Sequence, residues 1–248
     1  MSLPIGLQLW SIWEAVGEDM FASLRQIKAM GYEGVEFAGF NDHDAGTIRS
    51  WLADLGLSVA GSHVRVPGIL EDFDSTVAYH KVLGCDNLTI ASLPQEYIGS
   101  LDALRKTASM FDGLSNKLKN VGMSLAFHNH DRELVPVEGK LPLEVLFDNC
   151  GDDVLVQLDI GWAITARADV SYLLTKYARR IASVHVKETK QRLAVTGEGE
   201  IDWKPILAQV ESSTTATWLI IEHERYIESP MIDVKKCFNN LRAMIPVK

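Results

Sequence analysis

Val121-Gly122-Met123-Ser124-Leu125-Ala126-Phe127-His128-Asn129-His130 carries three signals in one short stretch. A helical pattern stops at Gly122, an apolar run of strand type follows from Met123 to His128, and the run ends in two imidazoles two positions apart. Glycine suits the junction because the residue after a last helical turn often takes a left-handed conformation that a β-carbon penalises. The same junction recurs at Met30-Gly31-Tyr32, Leu55-Gly56-Leu57 and Leu83-Gly84-Cys85, which implies a repeated helix-to-strand unit.

Working outward, strand-type runs occupy Ile5 to Trp10, Gly34 to Ala38, Leu57 to Gly61, Asn87 to Ala91, Met123 to His128, Val154 to Asp159, Ile181 to Lys187 and Thr217 to Glu222. Runs such as Val154-Leu155-Val156 and Trp218-Leu219-Ile220-Ile221 are apolar at consecutive positions, as strands covered on both faces of a parallel sheet are. Between them lie helical stripes: Ile48, Trp51, Leu52 and Leu55, then Leu101, Leu104, Ala108, Phe111 and Leu118. Eight strands alternating with helices over 248 residues predict an α/β fold, a single-domain (β/α)8 TIM barrel spanning 1–248. A doubly wound open sheet would carry a Gly-rich first turn, and the residues after Trp10 are Ser11-Ile12-Trp13-Glu14.

Composition narrows the partners. Of all residues 47% are hydrophobic, so a sizeable core is expected, and no apolar stretch approaches the ~20 residues that a membrane span needs. A net charge of −9 disfavours nucleic acid, which draws its affinity from clustered Lys and Arg, and favours a small-molecule partner. Met1 to Trp10 has no secretory pattern, so a cytoplasmic location is expected, and Cys85, Cys150 and Cys237 read as reduced thiols. Homo-oligomer formation stays open.

A barrel of this kind places its active site at the C-terminal strand ends. These ends are polar: Glu36, Ser62-His63, His128-Asn129-His130, Gln157-Leu158-Asp159, His185-Val186-Lys187 and Glu222-His223-Glu224. Alternation along a strand puts His128 with His130, Gln157 with Asp159, His185 with Lys187, and Glu222 with Glu224 on one side. Five of the seven histidines (His63, His128, His130, His185 and His223) fall at or just past such an end. A lone His or Asp there is more often a hydrogen-bonded structural group or a helix cap. Carboxylates buried beside imidazoles need a compensating charge, and a mixed N/O donor set suits Mn, Co, Zn or Fe(II). Two lesser readings concern loops: Asp202 as N-cap after the Gly197–Ile201 loop, and Trp10, Trp13, Trp162 and Phe40 as rings that either stack on a sugar or pack in the core.

These stretches resemble the xylose-isomerase-like barrels, the sugar phosphate isomerases and epimerases that include ketose 3-epimerases, hydroxypyruvate isomerase, inosose isomerase and dehydratase, and endonuclease IV-type repair enzymes. The resemblance is carried by Gly31 to Glu36, Ala126 to Asp131, Leu158 to Ala163, Val184 to Glu188, Gly197 to Asp202 and Ile220 to His223, and so covers nearly the whole chain. It implies one divalent ion (Mn, Co or Zn favoured, Mg also compatible) held by Asp159, His185 and Glu222. His128 stands where the epimerases have a strand-five Glu that works as a proton pair with the strand-eight Glu. Either His128 replaces that carboxylate as ligand or acid/base, or Glu133 folds back from the following loop. The resemblance implies a metal-dependent isomerase or epimerase acting on a small keto sugar or keto-polyol through an enediolate. A dehydratase or lyase on a keto-inositol or 3-keto sugar, or a non-catalytic sugar-binding barrel, is the alternative; a nuclease ranks below them. On this reading Glu222, His128 and Lys187 are catalytic, and Glu36, His63, His130 and Gln157 hold substrate hydroxyls.

Overall fold

A computed structural model describes residues 2–189, 194–226 and 228–245. Eight parallel strands close into a barrel in sequence order: β1 (Ile5–Gln8), β2 (Gly34–Phe37), β3 (Ser58–Val64), β4 (Asn87–Ile90), β5 (Ser124–His128), β6 (Val154–Asp159), β7 (Ile181–Val186) and β8 (Trp218–Ile221). Helices such as Met20–Met30, Ala45–Leu55, Leu101–Asn120 and Pro230–Met244 pack outside. The barrel strands are buried on both faces, as their unbroken apolar runs predict; every residue of β1 and β2 is buried.

All four junction glycines adopt positive φ: Gly31 at 108°, Gly56 at 61°, Gly84 at 83° and Gly122 at 77°. Two strand ends differ from the sequence reading by more than one residue. β1 stops at Gln8 because its side-chain oxygen accepts from the Trp10 N–H and turns Leu9–Ile12 into a 3-10 helix. β3 runs on to Val64, so His63 lies within the strand. Asp202 occupies the N-cap position of the helix Trp203–Ser213, yet its side chain makes no capping hydrogen bond. The three cysteines are free thiols. Among the described residues no helix is long and apolar enough to cross a membrane.

Candidate metal centre

The mouth is built from strand ends whose side chains are fixed one by one. Asn129 joins β5 to β6: its Oδ1 accepts from the Asp159 N–H (2.9 Å) and its Nδ2 donates to the Asp159 carbonyl (3.3 Å). Asp159 then caps the helix Ile160–Thr165 through Oδ1, which accepts from the Trp162 N–H at 2.7 Å. Oδ2 is left buried and accepting no hydrogen bond, with Lys187 Nζ at 3.5 Å and His185 Nδ1 at 3.9 Å. Gly161 permits this approach, since a β-carbon there would lie 2.4 Å from the Lys187 carbonyl oxygen.

Beneath the mouth lies a hydrogen-bonded floor. The two register shifts among the described strand pairs fall at Val35/Glu36 and Val156/Gln157, and such irregularities re-aim side chains. Glu36 and Gln157 meet there, the Gln157 Nε2 donating to Glu36 Oε1 at 2.5 Å and to Ser183 Oγ at 2.9 Å. Glu36 Oε2 also takes Gln8 Nε2 and His185 Nε2, each at 2.7 Å, and has His63 Nε2 at 3.2 Å. Burial raises the Glu36 carboxyl, and the imidazoles of His63 and His185 outweigh that, leaving its pKa well below the usual carboxylate range. A carboxylate only accepts, so the Gln157 amide turns its NH2 to Glu36 and its Oε1 to the imidazoles. Oε1 lies 2.7 Å from His63 Nε2 and 3.1 Å from His128 Nδ1. In this arrangement both nitrogens carry hydrogen and His128 Nε2 keeps a bare lone pair.

Above the floor, His185 Nδ1 is 2.8 Å from Glu222 Oε2 and 3.9 Å from Asp159 Oδ2. Lys187 Nζ lies 2.8 Å from Glu224 Oε1, 3.3 Å from Glu222 Oε2 and 3.5 Å from Asp159 Oδ2, over the Trp162 ring at 4.7 Å. Burial lowers His185, but Glu36 and Glu222 more than reverse this and lift it to about 10. Burial raises Glu222 and the neighbouring Lys187 and His185 outweigh it, so it titrates well below the ordinary range. Asp159 goes the other way, to about 6, because burial exceeds the pull of Lys187. His128 is pushed well below the ordinary imidazole value by burial and by the facing His185, His63 and His130.

One ligand atom from each of His128, Asp159, His185 and Glu222 lies within 4.8 Å of the others. The donor set fits a divalent ion: two imidazoles, two carboxylates, and in Asp159 Oδ2 a buried lone pair without a hydrogen bond. The positive charge balancing these carboxylates is otherwise a proton on His185 and the Lys187 ammonium.

A cavity of about 310 Å³ opens above this cluster, with His63, His128, His130, Glu222, Glu224, Arg65 and Trp10 among its walls. Glu36 and Gln157 are fully buried below it and are not among the wall residues. Glu133 is buried, with Oε2 accepting from the His130 N–H (2.7 Å) and Oε1 from Arg132 Nε (2.9 Å); it anchors the loop and does not join the metal-ligating group. His223 faces outward, its Nε2 3.4 Å from Asp233 Oδ2 on the helix Pro230–Met244. Phe40 packs on Phe37, Tyr79 and His80, and Trp162 is buried beneath Lys187 and beside His130. Gln8, Asn129, Ser183 and Glu224 are site residues to which sequence reading gave no role; Asn129 and Glu224 had a signal in their place at polar strand ends, and Gln8 and Ser183 had none.

The sequence profile of the family described as xylose isomerase-like TIM barrel matches residues 24–240. Inosose dehydratase of Salmonella typhimurium is 26% identical over an alignment 266 positions long, gaps included, covering 90% of this chain and 87% of the relative. Among solved structures, a sugar phosphate isomerase/epimerase from Parabacteroides distasonis superposes with a TM-score of 0.87 at 23% identity, covering 97% of this chain and 98% of that one. An L-ribulose 3-epimerase superposes with a TM-score of 0.75 at 18% identity, covering 98% and 94%.

Proposed function

The chain belongs to the xylose isomerase-like TIM barrel family, and from that premise we propose that it is a divalent-metal-dependent enzyme that enolises a small keto sugar or keto-inositol and favours loss of water from it. The observation that carries the choice is the unlike pair across the mouth, His128 on β5 and Glu222 just past β8. Epimerisation by two facing carboxylates needs like groups on both faces of the carbon. A single carboxylate, with only an uncharged imidazole opposite it, can take the proton from carbon and return it to a hydroxyl leaving from the same side, which suits elimination. The Salmonella relative's name, inosose dehydratase, agrees with this reading.

His128 Nε2, Asp159, His185 Nδ1 and Glu222 would hold the ion, with Mn, Co or Zn favoured by the donor set. When bound, the ion supplies Lewis acidity toward a substrate carbonyl and its neighbouring hydroxyl. Glu222, ionised at neutral pH, takes the proton from the carbon beside the carbonyl. The Lys187 ammonium, 3.3 Å from Glu222, offsets the negative charge that develops on the carbonyl oxygen. His128 and His130 are held neutral, so the proton gained by Glu222 is the one returned to the departing hydroxyl: one C–H and one C–OH bond break, a C=C forms, and water leaves. His63 and His130 line the cavity and would hold hydroxyls, while Glu36 and Gln157 orient the histidines from below.

Proton NMR in D2O against a panel of keto sugars and inososes tests this. Exchange beside the carbonyl followed by loss of water is expected; exchange with inversion and no unsaturated product would make the enzyme an epimerase. Ligand-induced stabilisation without any exchange would make it a binding barrel. His128→Gln separates its two roles: a ligand loses ion and turnover together, a base loses turnover and keeps the ion, and no change in either makes His128 structural.

A further inference from the structure

Trp10 and Trp13 are each 52% exposed, and their ring centroids lie 6.2 Å apart with planes at 23°. The chain builds this pair deliberately from local geometry: the Gln8 cap turns the backbone after β1, putting Trp10 on the 3-10 turn Leu9–Ile12 and Trp13 at the start of the helix Trp13–Glu18. Trp10 belongs to the cavity wall together with Ala38, Glu222 and Glu224. Trp13 does not line the cavity and extends the indole surface beyond Trp10. The surface is therefore continuous with the reacting groups at one end and open to water at the other.

Half-exposed indoles at the rim of a ligand cavity are poorly solvated surface that a ligand can cover. A second copy of the chain is a poor occupant, because two half-covered indoles offer on the order of 250 Å² per copy, against ~600 Å² or more per partner in a stable interface. The inner cavity, about 310 Å³, has room for one ring, and hydroxyl-binding groups, Arg65, Ser92 and Glu224, stand in its wall beside apolar ones. We propose that Trp10 and Trp13 form a second sugar-ring subsite, so that the substrate is a glycoside whose keto ring enters the cavity while its attached sugar ring lies with its C–H face on Trp13. The inner ring's chemistry rests on the function proposed above; the outer subsite rests on the indole pair.

Isothermal titration of the full chain with methyl glucoside and with α- and β-linked glucosyl disaccharides tests it, in the native protein and in Trp13→Ala. At least one disaccharide should bind about tenfold more tightly than methyl glucoside, and Trp13→Ala should abolish that advantage while leaving methyl glucoside binding unchanged. An advantage that survives in Trp13→Ala, or no disaccharide advantage in the native protein, overturns the proposal. A native dimer that Trp13→Ala dissociates, read by light scattering, also overturns it by assigning the pair to an interface. Deuterium exchange of a single-ring inosose should be identical in the two proteins; its absence from both would sink the enolisation reading without bearing on the binding comparison.

Discussion

Lys187 and Glu188 are neighbours after β7, both buried, and they face two different kinds of charge cluster. Glu188 is surrounded by neutral donors: Oε1 accepts from the Thr189 and Ile201 N–H groups at 3.2 and 3.3 Å, and Oε2 from the Gly197 N–H at 3.2 Å and the Trp203 indole at 3.0 Å. Lys187 is surrounded by the carboxylates of Asp159, Glu222 and Glu224, balanced by opposite charge, with a lone pair on Asp159 Oδ2 taking no hydrogen bond. The first arrangement is what a buried carboxylate needs in order to hold a loop in place. The second leaves acceptors facing one another, which favours a cation and a substrate over a static fold. Glu36 has four donors like Glu188, one of them the protonated His185, and lies in the floor beneath the mouth.

The comparison is broken most readily at Glu188. Glu188→Ala strips four donors of their acceptor, each costing ~1–3 kcal/mol when buried, so a stability loss of at least ~3 kcal/mol is expected in urea unfolding. Ion affinity of the folded fraction should stay within about twofold. A variant that loses the ion at unchanged stability would place Glu188 in the wrong class.

At Glu222 the opposite pattern is expected. Glu222→Gln should keep the unfolding midpoint close to that of the native protein while lowering Mn or Zn affinity by about a hundredfold or more, above the 10–100-fold typical of outer-shell losses. Titration calorimetry with the metal alone reads this, and melting without any ion-dependent shift in either protein would remove the metal centre.

Gln157→Leu sharpens the boundary between floor and ligands. It takes from His128 Nδ1 and His63 Nε2 their common acceptor and frees both rings to turn, so ion affinity should fall ~10–100-fold. Nitrogen-15 spectra of the histidine rings should show His128 leaving the Nδ1–H form. A variant that keeps both the affinity and the native ring spectrum would show that the floor orients nothing.

The barrel was legible because its signals are local: left-handed Gly122 after a helix and consecutive Val154, Leu155 and Val156 in a two-sided strand need no distant partner. Alternation paired His185 with Lys187 and Glu222 with Glu224 on one side each and turns His223 to the opposite side, whereas the ligand set Asp159, His185 and Glu222 was implied by the family resemblance. What alternation cannot give is depth. Glu36 and Gln157 read as hydroxyl-binding groups, yet each sits at a register shift that lodges it under the imidazoles, and such a shift depends on the neighbouring strand. The Asn129 clamp and the Gln8–Glu36 bond join residues 30 and 28 positions apart, beyond any local pattern.

The smallest effect concerns His130, which stands between the two classes: uncharged, against Trp162, with Nδ1 buried and lacking a hydrogen bond. Burial, reinforced by the Lys187 charge, lowers its pKa to about 4. An unfolded chain takes up this proton near pH 6.5, so between about 6.5 and 4 the unfolded state binds a proton that the folded state refuses. His130 thus contributes full stability above about pH 6.5, and the contribution is lost as the pH falls toward 4. At pH 5 the loss amounts to about 2 kcal/mol, from roughly 1.5 units at 1.36 kcal/mol each. Between pH 7 and pH 5 the ion-free native protein should therefore lose about 2 kcal/mol more than His130→Asn does, as measured by urea unfolding at the two pH values. Equal losses would mean that water reaches the ring and that His130 belongs with the solvated groups of the cavity wall. A larger loss in the variant would reverse the sign and assign the acid sensitivity of the mouth to its carboxylates.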